Sequence, residues 1–230
     1  MPEARSFHKL YEVGGQIYLF GGCPTASKGR LNDLHHFDPA TSEWRRLRSS
    51  EAIDGRGGPG FQGSPDGKYL YVSSGYAGRE TNDIHRYSVE DDSWTQLDDY
   101  PEHIEPRSVT ANITLAKLNL ILLFGGEVSI SAKGHEGAGG FQNELLCLDI
   151  SKDKVPAFQL GQDWAQEGAK TPSHENAPCS RGWLDGAEIK TEISVDGSAF
   201  SECAIFGGLG GNDDEPIRYN DLWIVKIERK

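Results

Sequence analysis

The sequence lacks the features that mark membrane, secreted and nucleic-acid-binding proteins. No apolar run approaches the roughly 20 residues that a membrane-spanning helix needs. The first eleven residues contain no basic segment followed by an apolar one, as a secretory signal does. Basic residues are few: 23 Lys and Arg face 35 Asp and Glu, and the net charge of −12 repels phosphate backbones and anionic lipids. We therefore expect a cytoplasmic protein that binds neither nucleic acid nor membranes.

Cysteine is also rare, and helical periodicity is missing. The four cysteines lie far apart without CxxC spacing, which fits neither a zinc site nor a secreted disulfide scaffold, so we expect free thiols. No stretch shows a convincing 3.6-residue period, whereas 28 glycines and 11 prolines suit short strands joined by many turns. The sequence therefore predicts an all-β protein.

What the sequence does contain is an internal repeat of about 50 residues. Four apolar runs end in a small-residue pair, at residues 17–22, 69–75, 120–126 and 203–208. Each run predicts a buried strand that ends at a glycine turn. A second signature, Asn followed by an acidic and an apolar residue, begins the next strand at Asn32, Asn82, Asn143 and Asn220.

An arginine precedes each glycine strand, at Arg5, Arg56, Arg107 and Arg181. The first three are 51 residues apart, and the last is 74 residues further on because the third copy carries insertions. The copies cover about residues 5–50, 56–100, 107–160 and 181–228. In the first two copies a fourth strand carries Trp44 or Trp94, which we expect to pack between neighbouring sheets.

These signatures match the kelch pattern, in which four antiparallel strands form one blade of a β-propeller. We therefore predict a single kelch-type propeller domain over residues 1–230, with four blade repeats. The fourth copy supplies only three strands, so the last blade is predicted to be incomplete. A small closed ring and an open or truncated ring both stay open as alternatives.

Several motifs resemble one kelch family more closely than the general repeat. They lie, in order, at residues 4–8, 55–58, 75–78, 82–85, 125–127, 134–139 and 180–183. Together they resemble the specifier proteins of glucosinolate breakdown, namely the nitrile-specifier, epithiospecifier and thiocyanate-forming proteins. Members of that family have six blades, and this chain resembles their last four.

The resemblance implies a ferrous iron site on the loop after the third glycine strand. The family's ligands are a Glu, an Asp and a His spaced four residues apart, and the matching positions are Glu127, Ser131 and His135. Serine replaces the middle carboxylate, which we expect to weaken iron binding, and Glu136 is a substitute ligand in reach along the chain. The alternative is that Glu127 and His135 are a hydrogen-bonded pair that organises a glycine-rich turn.

The resemblance also implies that the four arginines bind an anionic substrate at the channel mouth, since a guanidinium fork suits a sulfate. The alternative is structural: one arginine per blade pairs with a carboxylate or caps backbone carbonyls. The two uses can coexist.

Other signals are weaker. The glycine-rich stretches 55–60 and 207–211 do not begin a predicted helix, which argues against a nucleotide site. The acidic loop at residues 212–215 is interpreted as a solvated turn. His35 and His85 occupy equivalent repeat positions, which favours a shared packing or hydrogen-bonding role.

Two functional hypotheses follow. In the first, the chain directs a thiohydroximate sulfate towards a nitrile or related product with Fe2+, so that its partner is a small anionic substrate. In the second, it is a non-catalytic kelch module that binds a protein. A homo-oligomer stays open under both. Fold does not decide between them.

Overall fold

The structure is a computed structural model, and it describes residues 1–25, 28–160, 177–193 and 199–229. The described residues form seventeen strands and one short 3-10 helix. They divide into two compact units, one comprising residues 1–109 with 150–156 and the other residues 110–149 with 157–230. The all-β class predicted from the sequence is confirmed.

The first unit contains two four-stranded antiparallel sheets, and in both the strands are ordered as in the chain. The strands of the first sheet are β1 (Lys9–Val13), β2 (Gln16–Phe20), β3 (Leu34–Asp38) and β4 (Glu43–Arg46). Those of the second are β5 (Gly60–Gly63), β6 (Tyr69–Tyr76), β7 (Glu80–Ser88) and β8 (Ser93–Gln96). Each sheet is one blade of the predicted repeat.

One apolar core joins these two sheets. Phe20 from β2 and Leu34 from β3 are fully buried with Phe61 and Leu70 of the second sheet. Trp94 packs against this cluster, with its ring 5.9 Å from that of Phe20. The prediction that this tryptophan packs between neighbouring sheets is confirmed.

The second unit begins with a third blade. Its strands are β9 (Ala111–Leu115), β10 (Leu120–Phe124), β13 (Leu145–Asp149) and β14 (Ala157–Gln159), in the order β14-β13-β10-β9. The insertion between β10 and β13 contains β11 (Glu127–Ser129), the 3-10 helix (Gly134–Glu136) and β12 (Gly140–Phe141). β11 and β12 pair as a small hairpin.

The fourth sheet has three described strands. They are β15 (Asp185–Ile193), β16 (Ala199–Gly211) and β17 (Pro216–Arg229), and β16 lies between the other two. One face of this sheet joins β9, β10 and β13 in a core with Leu122, Cys147, Cys203 and Ile205 at its centre.

In the first three blades, the glycine turn at the end of the second strand lies close to the arginine segment of the next copy. Gly21, Gly125 and Gly207 adopt positive φ angles of 67°, 72° and 67°. A Cβ at Gly21 would lie 2.8 Å from the carbonyl oxygen of Arg56. Only glycine combines that conformation with so close a backbone contact.

No helix among the described residues combines the length and the apolar character that crossing a bilayer requires.

Candidate functional site

Three of the four repeat arginines have buried side chains that are held by an aspartate of the Asn-Asp signature. Arg5 binds Asp33 through two hydrogen bonds of 2.5 and 3.0 Å. The equivalent pairs are Arg56 with Asp83, at 2.6 and 2.8 Å, and Arg181 with Asp221, at 2.6 and 3.1 Å. The fork geometry of guanidinium with carboxylate explains why both residue types recur at a fixed distance along the chain.

Further hydrogen bonds to backbone carbonyls hold these arginines. In each pair Nη1 also donates to the carbonyl oxygen at the glycine turn, which belongs to Gly21, Ser74 or Gly207. Nε donates to a carbonyl two residues earlier in the chain, at Glu3, Asp54 or Cys179. Each guanidinium therefore fixes the turn of its own blade.

The aspartates have a second partner where the signature continues to histidine. His35 Nε2 lies 2.8 Å from Asp33, and His85 Nε2 lies 2.7 Å from Asp83. Burial alone would raise the pKa of Asp83, but the hydrogen bonds from His85 and Arg56 outweigh it and hold that pKa far below its usual value. The shared hydrogen-bonding role predicted for the two histidines is confirmed.

Arg107, the arginine of the third copy, is also buried, at 2 % exposure. Its Nε donates to the carbonyl oxygen of Glu105, at 3.1 Å, as the other three arginines donate to the residue two positions earlier.

The residue two positions after each arginine has an unusual backbone conformation. Phe7, Val109 and Trp183 have φ angles of 56°, 51° and 56°, and Gly58 at the equivalent position has 56°. Such angles are uncommon for any non-glycine residue, and rare for a β-branched one such as valine. At Trp183 this conformation accompanies a hydrogen bond from the indole to Glu127.

Glu127 is a buried carboxylate at the start of the insertion after β10, with 7 % of its surface exposed. It accepts hydrogen bonds from the Trp183 side chain and from the Ser131 backbone N–H. Burial raises the pKa of Glu127 above its usual value, and the nearby Asp213 carboxylate acts in the same direction. A cation at this position would offset both effects.

Ser131 lies at the position where the resemblance to specifier proteins implies a carboxylate, and its side chain is hydrogen-bonded. Its hydroxyl donates to Oδ1 of Asp213, while the backbone N–H of Ala132 donates to Oδ2 at 3.0 Å. Lys133 Nζ contacts the carbonyl oxygen of Asp213 at 2.7 Å and Asp214 at 3.1 Å. Residues 212–215 form a largely exposed bend, as expected from the sequence, and the loop at Ser131 in addition binds Asp213 directly.

Sequence reasoning missed Asp213 although a signal was present. Asp213 follows Gly208 by five residues, as Ser131 follows Gly126. The two residues therefore occupy the same position after the glycine pair in successive copies, and their contact joins residues 82 positions apart in the chain.

Of the predicted iron ligands, the structure brings Glu127 and Ser131 to one loop, while the side chain of His135 lies outside the described residues. The described side chains contain no group of three or more His, Cys, Asp and Glu residues able to hold a metal ion. Two carboxylates, those of Glu127 and Asp213, are close enough there to interact electrostatically.

The chain is similar in sequence to a known family of repeat proteins. The family model described as "KLHDC2/KLHL20/DRC7 Kelch-repeats domain" matches residues 1–126, more than half of the chain. The chain therefore belongs to the kelch-repeat family, and its four sheets are blades of the kelch β-propeller class.

Its relatives within that class differ widely in their names. "N-(sulfonatooxy)prop-2-enimidothioate sulfolyase" of Thlaspi arvense is 30 % identical over 64 % of this chain and 47 % of its own length. "Kelch domain-containing protein 3" of Rattus norvegicus is 26 % identical over 65 % of this chain and 38 % of its own length. "Beta-scruin" of Limulus polyphemus is 24 % identical over 67 % of this chain and 16 % of its own length. The chain thus spans less than half the length of these relatives.

One similar solved structure supports the fold and carries no information on function. The structure of YjhT covers 96 % of this chain with a TM-score of 0.64, and the chain spans 68 % of it at 14 % sequence identity.

Proposed function

We propose that this chain is a specifier-like kelch protein that directs the breakdown of a thiohydroximate sulfate, a glucosinolate-type aglucone, towards a nitrile or related product with ferrous iron. The observation that carries the proposal is the buried Glu127 carboxylate beside Asp213, on the loop where the family resemblance implies iron. The sulfolyase of Thlaspi arvense, whose name describes a substrate of this class, supports it.

The donor set fits iron if Asp213 provides the carboxylate that Ser131 lacks. Glu127 and Asp213 would then hold the ion, with His135 as the predicted third ligand. Bound ferrous iron would supply a Lewis-acid centre at which the sulfur of the substrate can be polarised.

The chain's own residues prepare this position. The Trp183 indole and the Ser131 amide donate to Glu127 and so fix the direction of its carboxylate. The Ser131 hydroxyl and the Ala132 amide do the same for Asp213. Burial of Glu127 restricts access of water on its side of the site.

The anion-binding role of Arg5, Arg56, Arg107 and Arg181 stays a prediction. The bidentate aspartates offset the charge of three of these guanidinium groups. An anionic substrate would therefore meet neutral pairs at these three positions, so its binding would depend more strongly on the metal.

The test is anaerobic titration of the purified chain with ferrous iron, followed by calorimetry. We expect saturable binding of one ion, which Glu127→Ala and Asp213→Asn each weaken by about tenfold or more. Ser131→Asp, which restores the family's ligand, should raise the affinity. The control is Asp214→Asn: its side chain is 92 % exposed and forms an ion pair with Lys133, so the affinity should not change.

Two results would contradict the proposal. One is the absence of iron binding by a folded chain. The other is binding that all four variants leave unchanged. If iron binding is saturable, the next experiment is an assay of thiohydroximate sulfate conversion, in which nitrile is the measured product.

The second candidate function is a protein-binding module. The observation in its favour is the outer face of the last blade, where Phe206, Leu222 and Ile224 are 58, 61 and 53 % exposed. Adjacent exposed apolar side chains on one sheet face are typical of an interaction surface. Kelch relatives such as Kelch domain-containing protein 3 share the fold with this chain.

A further inference from the structure

The outer edge of the first blade carries a basic strip that the proposed iron chemistry does not use. The strip consists of Arg45 and Arg46 at the end of β4 and of Arg48 just after it, and all three residues are exposed. None of the three guanidinium groups forms an ion pair with a described carboxylate. Three unpaired cations side by side are unusual in a chain whose net charge is −12.

The repeat itself does not require these arginines. The register of each fourth strand with its third strand identifies the residues equivalent to Arg45 and Arg46 in the next two blades. Those positions hold no charged residue: they are Thr95 and Gln96 in β8, and Phe158 and Gln159 in β14. The blade therefore forms without this charge, and the basic strip belongs to the first blade alone among these three.

The backbone beside the strip is an open sheet edge. Among the described residues β4 pairs only with β3, and the N–H of Leu47 donates to the carbonyl oxygen of Leu34 at 2.9 Å. Residues of an antiparallel pair alternate between hydrogen bonds to one side and to the other. Because Leu47 and Arg45 bond β3, Trp44 and Arg46 direct their N–H and C=O groups outward, where another strand can bind them.

The two arginines of β4 lie on opposite faces of this edge. Successive side chains of a strand point to opposite faces. Leu47 is buried in the core shared with the second sheet, so Arg45 lies on that face, and Arg46 shares the other face with Trp44. A strand added beside β4 would place two consecutive residues opposite Arg45 and Arg46, and acidic residues there would form cross-strand ion pairs.

One carboxylate of this chain already binds at the end of the strip. Asp92, in the turn between β7 and β8, accepts a hydrogen bond of 2.9 Å from the backbone N–H of Arg48. Hydrogen bonds from the Tyr87 hydroxyl and from this N–H, together with the charges of Arg48 and Arg45, hold the pKa of Asp92 below its usual value. The edge and its arginines thus stabilise an ionised carboxylate.

The same contact marks where the free part of the edge ends. Asp92 occupies the N–H of Arg48, and the Trp94 indole donates to its carbonyl oxygen at 2.7 Å. The outward backbone groups of Trp44 and Arg46 have no such partner among the described residues. An added strand therefore pairs at these two residues, and Arg48 contributes only its charge.

We infer that the edge of β4 is a docking site for an extended acidic segment of a partner polypeptide. The segment adds as a further strand beside β4, and two consecutive acidic residues in it pair with Arg45 and Arg46. The inference does not depend on iron or on an anionic small molecule. It also concerns a different blade from the apolar outer face that favours the second candidate function.

A partner is favoured over a second copy of this chain. Runs of consecutive acidic residues that the structure describes lie in turns, bends and loops, at residues 90–92, 98–99 and 213–215. None of these runs is part of a described strand. A second copy could therefore offer an extended acidic pair only after rearranging one of these segments.

The probe is a fluorescein-labelled peptide of sequence Thr-Val-Thr-Glu-Glu-Thr-Val-Thr, which combines strand-forming residues with one acidic pair. Its binding to the full chain is measured by fluorescence anisotropy, and hydrogen exchange locates the bound edge. We expect saturable binding that added salt weakens, because the ion pairs are exposed. The amides of Trp44 and Arg46 should gain protection, and those of β8 should not.

Two variants of equal charge test the position of the contact. Arg46→Gln removes one cation from the strip, whereas Arg79→Gln removes one from the turn between β6 and β7, where the Arg79 side chain is 80 % exposed. Both variants change the net charge by the same amount. We expect Arg46→Gln to weaken peptide binding about threefold and Arg79→Gln to leave it unchanged.

Two changes in the peptide separate charge from strand addition. Replacing both glutamates by glutamine keeps their size, and we expect about tenfold weaker binding. Methylating the backbone nitrogen of either glutamate in turn keeps both charges. Because the amides of an added strand alternate in direction, only one of the two methylated peptides should lose binding.

Five outcomes would overturn the inference. They are no saturable binding, undiminished binding of the glutamine peptide, equal effects of Arg46→Gln and Arg79→Gln, equal effects of the two methylations, and protection confined to residues outside β4. A dimer of the chain whose Trp44 and Arg46 amides are protected without peptide would overturn it as well, because a second copy would then occupy the edge.

Discussion

At the scale of single residues, the recurring unit is a buried arginine whose fork is filled by an aspartate about 27 to 40 positions further along the chain. The arginine also binds the carbonyl of the glycine turn. One side chain thus holds together the start of a copy, its turn and its third strand.

Loss of the aspartate should therefore lower the free energy of unfolding. In Asp83→Asn the Arg56 guanidinium, 1 % exposed, keeps its charge without its carboxylate. We expect a loss of about 3–5 kcal/mol in the free energy of unfolding, measured by urea denaturation at pH 7. The control is Glu192→Gln, in a pair whose side chains are both about half exposed, where we expect about 0–1 kcal/mol. Equal losses for the two variants would contradict the prediction.

The same pair predicts a pH dependence. Because the pKa of Asp83 in the folded state is held far below its ordinary value of 3.8, its ionised form stabilises the folded state at all pH values above 3.8. This contribution is lost as pH falls below about 4 towards the folded-state pKa. The difference in unfolding free energy between wild type and Asp83→Asn should therefore shrink with acidification, as measured by urea denaturation between pH 7 and pH 3.

The pKa of Glu127 is shifted in the opposite direction, so its ionisation has the opposite effect on stability. Burial raises the pKa of Glu127 in the folded state, so its ionised carboxylate lowers the stability at neutral pH. This effect vanishes below the ordinary pKa of 4.5, where the carboxyl is protonated in both the folded and the unfolded state. We expect Glu127→Gln to raise the melting temperature of the metal-free chain at pH 7 but not at pH 4. Glu136→Gln, an exposed position on the same loop, should change neither.

At the scale of secondary-structure elements, one repeat position has two environments. Leu34, Leu145 and Leu222 each follow the acidic residue of the signature and each lie opposite a phenylalanine of the second strand. The first two are at most 5 % exposed, whereas Leu222 is 61 % exposed. The neighbouring sheet, and not the residue itself, decides its energetic contribution.

This contrast gives a matched pair of substitutions. Leu34→Ala removes a fully buried side chain from the first core and should cost about 2–5 kcal/mol of unfolding free energy. Leu222→Ala should change it by no more than about 0.5 kcal/mol in the monomeric chain. Chemical denaturation of both variants tests the pair, and a large cost at Leu222 would show that this face is covered in solution.

The repeat could be predicted from the sequence because its signals are local. An apolar run before a glycine pair, and an arginine 51 residues after another, specify strands and their order without knowledge of distant contacts. The contact of Ser131 with Asp213 could not be predicted in this way, since it depends on two loops of different copies meeting in space. The partners of Glu127 are missed for the same reason: Trp183 reaches it through an unusual backbone conformation that no sequence pattern marks.

At the scale of the whole molecule, acidic residues outnumber basic ones, while three of the buried arginines at the blade turns are paired with aspartates. Because each of these pairs is neutral, the net charge of −12 is carried by the other ionisable residues. Apolar packing within each of the two compact units then provides the main stabilisation.

The four cysteines differ in burial, and none forms a disulfide. Cys147 and Cys203 are buried in the core of the second unit, where burial raises the pKa of each thiol to about 12, while Cys23 and Cys179 are partly exposed. At pH 8 a thiol reagent should therefore label Cys23 and Cys179 in the native chain and leave the buried pair unmodified, because the thiolate is the reactive form.

Labelling of the buried pair should report opening of that core. Leu122→Ala removes a fully buried neighbour in the same cluster, and a loss of about 2–5 kcal/mol would speed the reaction of Cys147 and Cys203 by at least about tenfold if they react only after the core opens. Mass spectrometry of the labelled protein over time gives both rates. Fast labelling of all four thiols in the wild-type chain would show that this core is not closed in solution.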